Sequence, residues 1–398
     1  MLNVLKKPIT DESIRSYEYH NFQPYTPSFL TNDEVRIVIQ SQDAYLHLSE
    51  SDIVIVGQIR NKADGAPPHV SVDLNKNAPS FLFSEIRLEV NGKLVDQTRH
   101  LGIASTIKSL VSYTKGQQFS PSSKEKLEFN ADGDWAVTVP LSHWLGFAED
   151  YKEVVINSKV ELILLRAKSD KNFQCVNNPD HEVSVAIKSI TWSVPFVELQ
   201  DFSRLNMLEI LRKNTPIQMA FRGWELFEFP QINSNTNVLN WSIKNTNLIE
   251  LPRYIIFGIQ ANRSENVLKQ STEFDQGDIR NVRAFINSNV FPYTALNINF
   301  AKNQYSQLYS TFMKFRKQYY GDCENISGIL QKTFKEKYPL WVIDTSRQNE
   351  ALKTSYADVR LSVEANTNFP PLTGAFCLIL SDRLFEYTPA TSFVHRIH

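Results

Sequence analysis

Histidine, cysteine and carboxylate side chains are where this chain could carry chemistry. The histidines are His20, His47, His69, His100, His143, His181, His395 and His398. None forms the H-x-H or H-x-x-x-H spacing that would set two imidazoles on one metal, so surface and core roles are expected for all of them. Cys175, Cys323 and Cys377 lie far apart and make no metal or redox motif. An odd, sparse count suits a reducing compartment better than a disulfide framework. Asn130-Ala131-Asp132-Gly133-Asp134 resembles a calcium loop, but its glycine is misplaced for an EF-hand and the closing glutamate is missing. A polar turn before Trp135 is the simpler expectation. Lys314, Arg316 and Lys317 could meet a phosphate, yet cations near a helix C-terminus also complement its dipole. Asp275 and Asp278 fall in a polar loop, where solvated charge is the default. Asn240, Asn262 and Asn325 head N-x-S sequons that mean little without an export signal. No phosphate-binding glycine loop, no G-x-S-x-G elbow and no set of nucleophile, base and oxyanion donors assembles. The sequence therefore names no catalytic, cofactor-binding or metal-binding residue, and the expectation is that the protein is not an enzyme.

The bulk properties point the same way. A chain of 398 residues is long for one core, and two domains of roughly 150–200 residues are the natural reading. The 25 Phe and 15 Tyr against 4 Met favour pleated, half-buried surfaces. The 42 Lys and Arg nearly balance the 43 Asp and Glu, so the electrostatic footprint of a nucleic-acid binder is missing and no sequence-specific nucleic-acid partner is expected. Residues 1–8 lack the apolar run of a signal peptide, and no apolar stretch approaches the roughly 20 residues that span a bilayer. A soluble, cytosolic product is expected.

The elements that would position any site repeat once along the chain. Each half opens on an aromatic-rich extended segment, Tyr17–Phe22 and Trp224–Phe229. An alternating strand follows, Glu34–Gln40 and Asn237–Lys244, then Ile53–Ile59 and Tyr254–Gln260. The glycines in that last pair, Gly57 and Gly258, sit 201 positions apart. Glu85–Val90 runs through Asn91-Gly92 into Lys93–Asp96, the strongest short-range signal for a type I′ hairpin. Val282–Ile286 before Asn287-Ser288-Asn289 is its looser counterpart.

The period then changes to about 3.6 residues. Ile103, Ala104, Ile107, Leu110 and Val111 share one helical face, closed by Lys115-Gly116. Tyr305, Leu308, Tyr309, Phe312 and Met313 do the same before Tyr320-Gly321. Strands return at Trp135–Val139 and Leu340–Ile343, at Val160–Leu165 and Val359–Val363, and at Val183–Val194 and Gly374–Leu380. The expected fold is all-β: two tandem eight-stranded jelly-roll β-sandwiches, each with a short helix. The expected organisation is an N-terminal arm over 1–24, a first jelly roll over 25–200, a helical connector over 201–216 and a second jelly roll over 217–398.

The block Asn77-Ala78-Pro79-Ser80-Phe81-Leu82-Phe83-Ser84 through Glu85–Gly92, with Asp96, Arg99, Gly102 and Ser105–Lys108, resembles the major capsid proteins of Polinton/Maverick elements and adintoviruses. The opening resembles that family too, in Met1-Leu2-Asn3, Tyr17–His20, Asn32–Ile37 and Ser49–Ser51. Val139–Phe147 with the strand Val160–Leu165 is similar to a signature in capsid proteins of large eukaryotic DNA viruses, from which Ser142-His143 departs. The likeness is close over most of the first half and follows the layout in the second.

The resemblance implies a double jelly-roll major capsid protein whose homotrimers form pseudo-hexagonal capsomers of an icosahedral shell, located in the virion. Its implied partners are neighbouring capsomers and a penton protein at the vertices; an internal membrane is left open. The polar stretches Gly116–Gly133 and Arg166–Asp180 are expected to form towers or contacts between capsomers. Two other readings stand beside this one. The first is a glycan- or receptor-binding sandwich, with Trp144 or Trp224 lining a shallow site. The second is an enzyme on the same fold, either copper-dependent or a glycan amidase.

Overall fold

The computed structural model describes residues 13–40, 45–69, 71–112, 127–213, 215–243, 251–321, 328–347 and 357–397. The first half supplies β1 (Ile14–Phe22), β2 (Glu34–Gln40), β3 (Asp52–Asn61), β4 (Phe83–Val90), β5 (Lys93–Arg99), β6 (Asp134–Pro140), β7 (Lys159–Arg166) and β8 (Val183–Leu199). They form two facing sheets, β1-β8-β3-β6 and β2-β7-β4-β5. The second half supplies β9 (Ile217–Phe229), β10 (Val238–Ile243), β11 (Pro252–Ala261), β12 (Ile279–Ile286), β13 (Asn289–Phe291), β14 (Trp341–Asp344), β15 (Val359–Ala365) and β16 (Thr373–Thr388). Its sheets are β9-β16-β11-β14 and β10-β15-β12-β13, the same order moved on by eight strands. Each half is a jelly roll, so the chain is a double jelly roll.

Alternation explains the strands. In β2, Val35, Ile37 and Ile39 are buried while Glu34, Arg36 and Gln40 face out. Asn91 and Gly92 both adopt positive φ and join β4 to β5, as a type I′ turn requires. Asn287 does likewise, and the β12–β13 turn is also two residues long, with Ile286 paired to Asn289. Gly57 and Gly258 mark close packing. A Cβ at Gly57 would lie 2.4 Å from the Trp135 ring, and one at Gly258 would lie 2.8 Å from Leu340.

The helices are α1 (Ala78–Phe81), α2 (Leu101–Ser112), α3 (Leu141–Trp144), α4 (Gly146–Asp150), α5 (Asp201–Arg212), α6 (Ser306–Tyr320) and α7 (Gln331–Lys337). The two periodic segments are α2 and α6. Gly321, at φ +69°, ends α6 by donating its N–H to the Lys317 carbonyl. The matching stop at Lys115-Gly116 lies outside the described residues. The shorter helices α1, α3, α4 and α7 add to the single helix expected per sandwich, since four to seven residues are too few to establish a period. Among the described residues no helix is long and apolar enough to cross a membrane.

Three features differ from the sequence reading. Residues 14–22, placed in an outlying arm, form β1, which is hydrogen-bonded along β8 from Ile14↔Leu199 to Phe22↔Trp192. Residues 1–12 of that arm lie outside the described residues. The aromatic segments that open each half are also out of register. Phe22 pairs with Trp192 and Trp224 with Leu380, so Phe22, not Tyr17, is the counterpart of Trp224. Aromatics alternate on both strands, and composition alone cannot fix a ladder.

The third difference concerns Arg166–Asp180. Its middle does not project as a tower, since Phe173, Gln174 and Val176 are buried, while Asn177, Asn178, Pro179 and Asp180 are exposed. Gln174–Val176 pairs with Val72–Leu74, and the Val176 N–H reaches the Val267 carbonyl of the second half at 2.7 Å. Most of Gly116–Gly133 lies outside the described residues.

Candidate functional site

The side chains that could do chemistry are spread over the structure in ordinary structural contacts. His143 is 1% exposed and sits 3.0 Å from Asn77 Oδ1. Burial, with Lys108 adding to it, pushes the imidazole down to about 3, so His143 is neutral and donates through Nε2. His47 contacts Tyr17, His20 stacks on Phe196, and His100 lies 3.2 Å from Glu228. Spacing did not anticipate His69 and His181, whose rings stack 4.0 Å apart with Ser71 Oγ between their Nδ1 atoms. Among the described residues no three His, Cys, Asp or Glu groups converge where a metal could sit.

The turn at Asn130–Asp134 is an Asx turn. Asn130 Oδ1 accepts from the N–H groups of Asp132 and Asp134, while Asp134 pairs with Lys188 at 2.6 Å. Asp275, expected to be solvated, instead receives the Arg263 guanidinium in two bonds of 2.9 Å and the Ala261 N–H at 2.8 Å. With Asp278, Lys335 and Glu336 it lines an open cleft of about 500 Å³. Arg316 does more than complement a dipole, because its guanidinium donates to the Ser112 carbonyl and so joins α6 to α2.

That contact belongs to the most elaborate arrangement in the molecule, the seam between the sandwiches. Asp96 on β5 is 1% exposed and accepts from Arg383 on β16, and from the N–H groups of Phe147 and Gln97, all at 2.9 Å. Asp150 on α4 accepts the Arg222 N–H at 2.9 Å and pairs with its guanidinium. That guanidinium lies 3.8 Å from the centroid of the Tyr319 ring. Lys108 on α2 is almost wholly buried, donates to the Ser142 carbonyl at 2.6 Å and pairs with Glu149 at 2.9 Å. A buried cation needs such partners, and here they come from α3 and α4.

Apolar packing crosses the seam in both directions. Ala104, Ile107, Leu110 and Val111 of α2 belong to the second core. Met219, Phe221, Phe385 and Tyr387 belong to the first. Gly146 lets this happen, because a Cβ there would fall 1.9 Å from the Arg222 carbonyl oxygen. Phe147 then meets Phe221 edge to face at 5.2 Å. The stretch Val139–Phe147 thus serves as the docking element between the sandwiches. Trp144 and Trp224 are each 2% exposed, so neither ring can line a shallow saccharide site. What the arrangement does is mechanical: it holds two similar sandwiches in one fixed relation.

Comparison with known proteins agrees with this geometry. A family model described as the double jelly roll-like domain matches residues 72–385. No curated protein matches the chain. Among solved structures, a chain of the Sputnik virophage cryo-EM structure superposes with a TM-score of 0.61 at 8% identity, covering 100% of this chain and 91% of that one. The PBCV-1 virus capsid gives 0.58 at 10% identity, over 99% and 100%. The mavirus major capsid protein gives 0.56 at 10% identity, over 99% and 92%. The chain belongs to the double jelly roll-like domain family.

Proposed function

We propose that the protein is a major capsid protein whose homotrimers form pseudo-hexagonal capsomers of an icosahedral shell of the DNA-virus type. The observation that carries this reading is the seam, which fixes two matching jelly rolls as one rigid body. Three such bodies present six similar lobes, and six lobes tile a hexagonal lattice. The fold shared with the mavirus protein and the PBCV-1 capsid supports the reading.

In this reading the protein resides in the virion, contacts neighbouring capsomers and meets a penton protein at the vertices. The kinship with Polinton/Maverick elements and adintoviruses rests on the quoted sequence blocks. Negative-stain images of the purified protein test the proposal. Hexagonal outlines with threefold averages are expected; uniformly two-lobed single particles would contradict it.

A further inference from the structure

Two imidazoles meet at the end of the first sandwich opposite α5. His69 lies on the loop that follows β3, and the turn Pro179–His181 leads into β8, whose 17 residues separate it from α5. The His69 and His181 rings stack with centroids 4.0 Å apart and planes 16° from parallel. Ser71 joins them. Its Oγ lies 2.8 Å from His69 Nδ1 and 2.9 Å from His181 Nδ1, and its N–H donates to His69 Nδ1 at 3.2 Å.

Counting protons shows what this arrangement tolerates. A nitrogen that accepts the Ser71 N–H carries a lone pair, so His69 is held as the neutral tautomer with its proton on Nε2. The Ser71 hydroxyl has one proton and two lone pairs, so it can donate to His69 and accept from His181. A single extra proton, placed on His181, therefore breaks no bond. A second, on His69 Nδ1, turns that nitrogen against the Ser71 N–H and sets two cations face to face at 4.0 Å. Lys62, Asp64, Asp180 and Glu182 are the charged residues of the two loops, and Lys62 and Glu182 pair with each other at 2.8 Å. Beyond them stand Asp73, two residues past Ser71, and Arg263 and Glu265 on the second-sandwich loop that meets Asn172; Arg263 is held by Asp275. Among the described residues no carboxylate bonds to either imidazole, so the doubly charged pair has no counter-ion in contact.

We propose that His69, Ser71 and His181 form a proton-operated latch, which clasps the two loops together at neutral pH and releases them in acid. Imidazole is the side chain whose charge changes between pH 5 and 8, so the trigger falls in that range. The loops run directly into the paired segments Val72–Leu74 and Gln174–Val176, and the Val176 N–H reaches the Val267 carbonyl of the second sandwich. Release thus loosens the place where loops of the two sandwiches meet, whatever the number of chains that associate. A proton held only in the open form, by an imidazole of ordinary affinity near 6.5, shifts the opening equilibrium roughly thirtyfold between pH 7.5 and 5.0. Asparagine at position 69 can keep the bond without the charge, because its Oδ1 accepts the N–H two residues on, as in an Asx turn.

The test is hydrogen exchange read by mass spectrometry on the full chain at pH 7.5 and 5.0, corrected for the intrinsic pH dependence of amide exchange. Wild type is compared with His69→Asn and with a control, His100→Gln, which removes an exposed imidazole paired with Glu228 away from the latch. In the wild type, peptides containing His69 and His181 are expected to lose protection by roughly tenfold or more in acid, while peptides of β11 keep theirs. His69→Asn should stay protected at both pH values, and His100→Gln should respond as the wild type does. Equal wild-type protection at the two pH values would overturn the latch without recourse to any variant. So would an unchanged acid response in His69→Asn, or a loss of protection that spreads equally to β11.

Discussion

Replacing Asp96 with alanine should loosen the seam and cost stability out of proportion to the atoms removed. The carboxylate is 1% exposed and bridges Arg383, Phe147 N–H and Gln97 N–H. Its removal leaves the Arg383 guanidinium, only 11% exposed, facing an empty acceptor position, and it strips the first N–H of α4 that touches the seam. Breaking one partner of a buried pair costs about 3–5 kcal/mol. At about 2–4 °C per kcal/mol for domains of this size, Tm should fall by on the order of 6–20 °C.

Burial raises the Asp96 carboxyl against the opposing pull of Arg383 and the two N–H donors, so a neutral isostere is tolerated better than a truncation. Asp96→Asn should therefore cost only about 1–2 kcal/mol. Adding Arg383→Met to Asp96→Ala should recover part of the loss by removing the unpaired charge. Calorimetry with circular dichroism measures all four proteins. An Asp96→Ala transition within a degree of wild type, or an Asp96→Asn as damaging as alanine, would refute the reasoning.

Three further outcomes are expected. Gly146→Ala should lower the unfolding free energy by about 1–3 kcal/mol or more, read as a lower denaturant midpoint, because its Cβ meets the Arg222 carbonyl at 1.9 Å; an unchanged midpoint would contradict the packing. The native fold holds His143 neutral with its imidazole near 3, whereas the unfolded chain binds that proton near 6.5. The stability that His143 contributes is thus complete above 6.5 and declines as pH falls from 6.5 toward 3. His143→Gln should flatten that part of the curve, and parallel wild-type and variant curves would count against it. Burial pushes the Cys377 thiol well up, so a thiol reagent should label the partly exposed Cys175 and spare Cys377 until the chain unfolds; equal native labelling would be contrary.

The strands were legible because half-buried sheets impose a period of two, and β2 and β4 display it plainly. Asn91-Gly92 and Tyr320-Gly321 were legible because only a few residues accept positive φ. The fold class followed from the recurrence of these signals at one spacing. The seam was not legible, since its partners, such as Asp96 and Arg383, are 287 residues apart. One signal could have pointed to it: Lys108 stands on a helix whose neighbouring positions are all apolar or small, which calls for a buried counter-charge. Gly146 could likewise be read as a close approach of backbones, but not as an approach to Arg222. The register of β1 escaped because its aromatic content matches more than one stretch of β9. His69 and His181 escaped because tertiary folding alone brings them together.

The central proposal is that three copies of this chain assemble into one capsomer. The solution mass of the purified wild-type protein, measured by light scattering across concentration and salt, tests it most directly. The account predicts a species near 137 kDa, three times the 45.8 kDa chain. A species that remains at 45.8 kDa throughout would contradict it.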